Sequence, residues 1–405
     1  MNGRNISATI FRGVLIAALP GILCSQSHAI STPDPDVLIS ANSDFAFNLL
    51  KQLATEQPGT NIFISPYSAS TALQMVGTGA AGTTSTEMQQ MLGTIDMPPL
   101  ALYEANKEIG DMINAANTNF VLTTANAVWY LRGFPIFPDF LEGNEKYFGA
   151  RVEGLDFEAP TAADVINAWA SEATQGKIDQ IVKSPLDPDL RVLLANAVYF
   201  RGKWQYQFDT NATTNLDFYL AGGGTESIPM MQQSTNFGYC ESKGYQAVSL
   251  PYQGSNLAMY VFLPAPGSSL PELLGSMNGQ WWQHTVNGAF TVRSGTVVLP
   301  KFNLDYSVTL NDTLEALGMK TAFTRFADFS KISSVPLYIS AVKQQAIVEV
   351  NEEGTVAAAV TTVSVSSSAV SEYSPFEMII NHPFLFMIED QQTGTILFMG
   401  AVFNP

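Results

Sequence analysis

The chain has 405 residues, 46% apolar and only 14% charged, so a sizeable core is available and a disordered or collagen-like chain is excluded. Its 19 basic against 36 acidic residues give a net charge of -17, which repels phosphate backbones and anionic lipid and argues against a nucleic-acid partner. Two cysteines and three histidines are too few for a disulfide framework or most His/Cys metal cages, so no metal or other cofactor is expected. At about 150 residues per domain, length alone corresponds to two or three domains.

Residues 1–29 read as a secretory signal peptide: Arg4 and Arg12 without an acid, an apolar run from Val14 to Leu23, and a small-residue site at Ser27-His28-Ala29. The run is too short to span a bilayer. Cleavage after Ala29 removes both arginines, Cys24 and His28, leaving 17 basic against 36 acidic residues and a charge of -19. The product is expected outside the cell, or in the periplasm or at the cell surface if the source is bacterial. Lipid attachment at Cys24 is the rival reading, for which Gly21-Ile22-Leu23 is a poor match. Cys240 then remains as the one thiol and reads as buried and inert rather than as a nucleophile.

After the lead Ser31-Thr32-Pro33-Asp34-Pro35-Asp36, Ser43 or Asp44 is expected to cap a helix carrying Phe45, Leu49, Leu50 and Leu53 at helical spacing. Gly77-Thr78-Gly79-Ala80-Ala81-Gly82 formally matches a dinucleotide fingerprint, but that motif needs a preceding strand, and Ser68 to Val76 reads as a helix. A turn between helices is expected instead. Another helix starts near Ala162, with Ile166, Trp169 and Ala173 on one face, and stops near Gly176. The first half thus reads as mostly helical. Beyond residue 190 come short apolar runs bounded by turn residues, Val192–Phe200, Leu257–Leu263, Val297–Phe302, Phe384–Ile388 and Ile396–Val402, which read as strands. The class is α+β. Asn196 sits inside the first of these runs and needs hydrogen-bond partners if that strand is buried. No internal repeat and no long Pro/Gly/Ser linker divides the chain. Nor is there a G-x-S-x-G elbow, an H-E-x-x-H motif or a Walker A pattern. His284 and His382 have no motif behind them that would make a hydrolase, and His382, followed by Pro383 among apolar residues, reads as structural.

Thr355 to Ser371 is the most unusual stretch, built only of Val, Thr, Ala and Ser. It is competent to form a strand, yet it lacks the bulk to anchor itself in a core. It follows the strand end Val348-Glu349-Val350 and the acidic turn Asn351-Glu352-Glu353-Gly354. In extended form Thr355, Ala357, Ala359, Thr361, Val363 and Val365 share one face, all small or β-branched, and could slide into a tight slot. Unstructured loops of this length are uncommon unless functional, and exposed, uncharged, strand-competent segments risk aggregation. These properties describe a strand held in reserve.

Asn351-Glu352-Glu353-Gly354-Thr355-Val356-Ala357-Ala358-Ala359 resembles the hinge of the serpin family. Asn381 to Phe386 and Phe398 to Pro405 are similar to the family's C-terminal signature, and Asn61 to Ser68, Asn196 to Trp204, Leu299 to Phe302 and Ala327 to Ser330 match further blocks in order. The resemblance implies a single domain over residues 30–405, with three β-sheets, eight to nine helices and an exposed reactive loop at about residues 354–375. It implies an inhibitor rather than an enzyme: a serine protease, or a cysteine protease as a second class, attacks the loop, and the cut loop inserts into the central sheet and traps the acyl-enzyme. Glu352, Gly354, Thr355, Ala357, Ala358 and Ala359 match the hinge. Ser65, Pro66, Ser68 and Asn196 match the shutter below the opening of the sheet, and Trp204 the upper entry point, the breach; Gln344 stands where the family often has His. Family spacing counted forward from Glu352 puts the attacked bond at Ser368-Ala369, and counting backward shifts it as far as Glu372-Tyr373.

After Lys343 the sequence has no Lys or Arg, so trypsin-like pockets have no cation to bind, and enzymes of elastase or subtilisin type fit Val365 to Val370 best. The region Leu100–Asn117 has Lys107 against Glu104, Glu108 and Asp111, so no heparin-type activation is expected there. A monomer is expected. A non-inhibitory serpin acting as carrier, chaperone or storage protein is the alternative; such members commonly carry bulky or charged hinge residues, which this chain lacks.

Overall fold

Within Val192–Lys203 the side chains alternate between two buried layers, with Leu193, Ala195 and Ala197 in one and Leu194, Val198 and Phe200 in the other. A strand apolar on both sides must be sandwiched, and this one lies at the centre of the molecule. The computed structural model describes residues 35–115, 120–355 and 374–405. The elements of the first half are α1 (Pro35–Glu56), β1 (Ile62–Ile64), α2 (Pro66–Gly77), α3 (Gly82–Leu92), α4 (Pro99–Ala115), β2 (Phe120–Leu131), α5 (Pro138–Phe148), β3 (Arg151–Leu155) and α6 (Ala162–Ala173). There follow β4 (Val192–Lys203), β5 (Thr214–Tyr219), β6 (Thr225–Glu241), β7 (Tyr245–Pro251), β8 (Leu257–Pro264), α7 (Leu270–Ser276) and α8 (Gly279–Gly288). The last are β9 (Thr291–Pro300), β10 (Phe302–Thr309), α9 (Asn311–Ala316), β11 (Ile339–Asn351), β12 (Gly354–Thr355), β13 (Phe376–Ile379), β14 (Phe384–Asp390) and β15 (Thr395–Val402).

The central sheet has the order β10-β11-β12-β4-β2-β3, with β4 also paired directly to β11. The remaining strands form one continuous ladder, β1-β15-β14-β8-β7-β6-β9-β13, with β5 on β6. The 17-residue β6 holds this ladder together, pairing with β5 over residues 225–230, with β9 over 230–239 and with β7 over 238–241, so the three expected sheets are hydrogen-bonded as two among the described residues. α6 covers the outer layer of the central sheet, where Ile166, Trp169 and Ala170 pack on Ala127, Trp129, Ala195 and Ala197. Trp129 meets Trp169 edge-on at 6.1 Å.

Three local readings change. α1 is already helical from Pro35, ahead of the expected caps Ser43 and Asp44. Ser43 and Asp44 lie inside it: the Ser43 hydroxyl donates to the Ile39 carbonyl, and Asp44 accepts from the Gly279 amide. The helical reading of the first half leaves out β2, which pairs with β4 from Phe120 to Tyr130. The run Val297–Phe302 is two strands meeting at a corner, with Lys301 between β9 and β10. Gly77 to Gly82 is the expected link between helices, α2 ending at Gly77 and α3 starting at Gly82.

Candidate functional site

The site is a partly opened seam in the central sheet. β4 and β11 pair directly and in parallel from Val192 beside Ile339 up to Tyr199 beside Ile347. Above that point they part, and β12 enters antiparallel to both, with Gly354 between Lys203 and Asn351 and Thr355 between Gly202 and Val350. A strand driven further along this path would exchange one slanted parallel ladder for two antiparallel ones, which are slightly more stable per residue.

Backbone geometry makes Gly354 necessary. Its φ is +148°, and a Cβ there would lie 2.2 Å from the Gly202 carbonyl oxygen and 2.6 Å from the Lys203 Cα. The turn before it is tied from several sides. The Trp204 indole Nε1 donates to the Asn351 carbonyl at 3.0 Å, and the Trp204 amide donates to the Glu353 carbonyl at 3.0 Å. Glu352, only 7% exposed, pairs with Lys301 at 2.8 Å and accepts from the Thr213 hydroxyl at 2.7 Å. Burial opposes ionisation of Glu352, but the hydrogen bonds from Lys301 and Thr213 outweigh it and hold the carboxyl below its usual range. Thr355 is fully buried, and its hydroxyl lies 3.1 Å from that of Tyr252, whose ring stacks on Trp204 at 4.7 Å.

Lower in the seam lies a buried polar knot. Ser65 caps α2, accepting from the Ser68 amide, and Pro66 occupies the first helical turn. The Ser65 hydroxyl donates to the Leu397 carbonyl at 2.7 Å. Gln344 reaches across from β11: its Oε1 accepts from the Ser65 amide at 3.1 Å, and its Nε2 donates to the Ser65 carbonyl at 2.9 Å and to Asn196 Oδ1 at 2.6 Å. Asn196 Nδ2 in turn donates to Asn126 Oδ1 at 2.6 Å and to the Ser68 hydroxyl. Gln344 thus uses both ends of its amide, which an imidazole would meet with one donor and one acceptor. The Gln344–Asn196 bond joins β4 to β11 across the line that an entering strand would follow.

The residues singled out from sequence therefore fall into two clusters, Glu352, Gly354, Thr355 and Trp204 above and Ser65, Pro66, Ser68, Asn196 and Gln344 below. Ala357, Ala358, Ala359 and both attacked-bond readings, Ser368-Ala369 and Glu372-Tyr373, lie outside the described residues. Sequence reasoning missed Tyr252, Thr213 and Asn126, which come from scattered turns and strands and carry no local signature, and it gave Lys301, inside the matched block Leu299 to Phe302, no role at the hinge. It also missed the far anchor, where Phe376 on β13 stacks on Tyr239 at 3.8 Å beneath the Arg293 guanidinium. A Cβ at Gly295 would lie 2.3 Å from the Phe376 ring, so glycine makes that stack possible. Cys240 is buried, and burial pushes its thiol up, away from nucleophilic character. His382 is structural, its ring 3.0 Å from the Pro264 carbonyl and 3.1 Å from Asn381.

The family model described as Serpin (serine protease inhibitor) matches residues 40–405. An uncharacterized serpin-like protein of Methanosarcina mazei is 36% identical, covering 91% of this chain and 87% of its own length. The leukocyte elastase inhibitor of Bos taurus is 33% identical over 91% of this chain and 99% of its own. Among solved structures, human thyroxine-binding globulin superposes with a TM-score of 0.84 at 26% identity, covering 92% of this chain and all of that one. With a family model spanning nearly the whole chain and relatives above 30% identity over nine-tenths of it, the chain belongs to the serpin family.

Proposed function

We propose that the protein is an exported suicide-substrate inhibitor of serine proteases, aimed at enzymes of elastase or subtilisin type. The observation that carries this reading is the entry of the hinge into the seam at Thr355 with a register that can continue. Extended in the same register, Ala357 would fall between Phe200 and Val348, Ala359 between Val198 and Ala346, and Thr361 between Asn196 and Gln344. Alanines would meet the apolar side chains of Phe200, Val348, Val198 and Ala346, and the one hydroxyl would arrive where insertion must break the Gln344–Asn196 bond, so Thr361 would restore a partner to both amides. The loop is thus graded to fill the seam without voids or orphaned polar groups. About fifteen inserted residues at roughly 3.3 Å each would carry a bound acyl-enzyme on the order of 50 Å. The work would come from burial and hydrogen bonding withheld in the native state, which is then kinetically trapped.

The absence of Lys and Arg after Lys343 supports a target without a cation-binding pocket. Lys107 on α4 is engaged by Asp111 at 2.6 Å, which further argues against a polyanion site there. Likeness to a thyroxine-binding globulin raises a non-inhibitory carrier as the second reading, against which the small hinge residues weigh. Incubation with pancreatic elastase or subtilisin, followed by denaturing gel and mass spectrometry of the released peptide, tests the proposal and locates the bond. A covalent complex and a carboxy-terminal fragment starting at Ala369, or at Tyr373 in the shifted register, are expected; cleavage by both enzymes without any complex refutes inhibition of that protease class.

A further inference from the structure

Tyr252 follows the last residue of β7, outside every motif read from the sequence, yet its ring lies under the hinge. It is held on two sides, stacked on Trp204 at an interplanar angle of 19° and edge-on to Phe200 at 5.0 Å. Gly202, the register partner of Thr355, makes room for it, since a Cβ at 202 would lie 2.8 Å from Tyr252 Cδ1. Tyr252 is 1% exposed and Thr355 is fully buried, so water cannot readily replace the bond between their hydroxyls. Burial pushes the phenol up, so it is neutral at any physiological pH and can both donate and accept.

We propose that the Tyr252 hydroxyl is a docking post for the hinge: by bonding Thr355 it keeps the first rungs of the inserted strand formed before a protease arrives, and so sets how often the cut loop inserts ahead of hydrolysis. This rests on the inhibitory reading and deepens it. Starting from a formed pair removes the slow step of nucleating a strand between two others. Tyr252 acts through Thr355 and touches no protease atom, so its role is one of positioning.

The pair gives a test that packing alone would not pass. In Tyr252→Phe the threonine hydroxyl is left buried without its partner, and in Thr355→Val the phenol is; each should shift the docking equilibrium towards the undocked hinge on the order of tenfold. In the double variant both positions are apolar and of nearly unchanged shape, so docking should return towards the wild-type level. Two readouts apply: hydrogen exchange of the Gly354 and Thr355 amides, and the fraction of subtilisin encounters that end in covalent complex. The expected result is faster exchange and lower complex yield in each single variant, with both measures restored in the double. Unchanged exchange in Tyr252→Phe, or additive losses in the double variant, would overturn the proposal. If the wild type forms no complex with any protease, the inhibitory reading fails, and the exchange measurement alone still decides whether Tyr252 docks the hinge.

Discussion

Replacing Thr355 with arginine puts the greatest strain on the proposed mechanism. The native side chain is fully buried, its hydroxyl 3.1 Å from that of Tyr252. A guanidinium taken into such a site costs several kcal/mol even after relaxation. The hinge would be driven out, losing the two rungs of β12 and the bond to Tyr252. If insertion starts from that pair, a penalty of only about 3 kcal/mol slows it on the order of a hundredfold, since each 1.4 kcal/mol is a factor of ten. Hydrolysis of the acyl-enzyme would then win. Titrating subtilisin with Thr355→Arg and resolving products on a denaturing gel should give cleaved variant and released, active enzyme, where the wild type gives covalent complex. Thr355→Ser, which keeps the hydroxyl, should remain an inhibitor. Normal complex yield from Thr355→Arg would refute the view that insertion begins at the hinge.

Three further outcomes follow from the same contacts. Asn196→Ala removes a group bonded to Gln344, Asn126 and Ser68 at once, so a loss of about 2–4 kcal/mol and an earlier melt by circular dichroism are expected. Glu352 ionises more readily in the fold than in the unfolded chain, so its contribution is present above the ordinary carboxylate pKa of about 4.3 and lost as pH falls through its lower folded value. Hydrogen exchange at Glu353 and Gly354 should therefore accelerate at strongly acid pH, and Lys301→Met should shift that acceleration to higher pH. Glu389, 3% exposed beside Tyr260 and Trp282, behaves in the opposite sense, because burial pushes its carboxyl up to about 8. The fold then holds a proton that the unfolded chain releases near pH 4.3, so this group's effect on stability worsens as pH rises from about 4.3 to 8 and levels off beyond. Glu389→Gln should match the wild type near pH 4 and gain an advantage on the order of 3 kcal/mol by pH 7, read as a widening difference in melting temperature; a constant difference across that range would contradict it.

Much of this arrangement is legible in the sequence because it rests on local rules. The small, uncharged run after Thr355 signals a strand without a place, Gly354 marks a backbone that tolerates no Cβ, and Asn196 inside an apolar strand announces a buried network. What could not be read is what distant segments bring together. Tyr252 meets Thr355, Lys301 meets Glu352 and Phe376 meets Tyr239 only through the crossing of the sheets. β2 escapes the pattern because Leu122 to Asn126 are half-buried and mix small, polar and apolar residues without the alternation that identifies half-exposed strands. Pro35 and Asp36, which lie in α1, read equally well as part of a loop lead.

On the proposed mechanism the chain withholds one strand from its central sheet. This is tested most directly by the melting temperature before and after a single cut within residues 360–373 by a catalytic amount of protease. Insertion between β4 and β11 predicts a large rise, with the cleaved protein staying folded well beyond the native transition. Clean cleavage with an unchanged or lower melting temperature would contradict it.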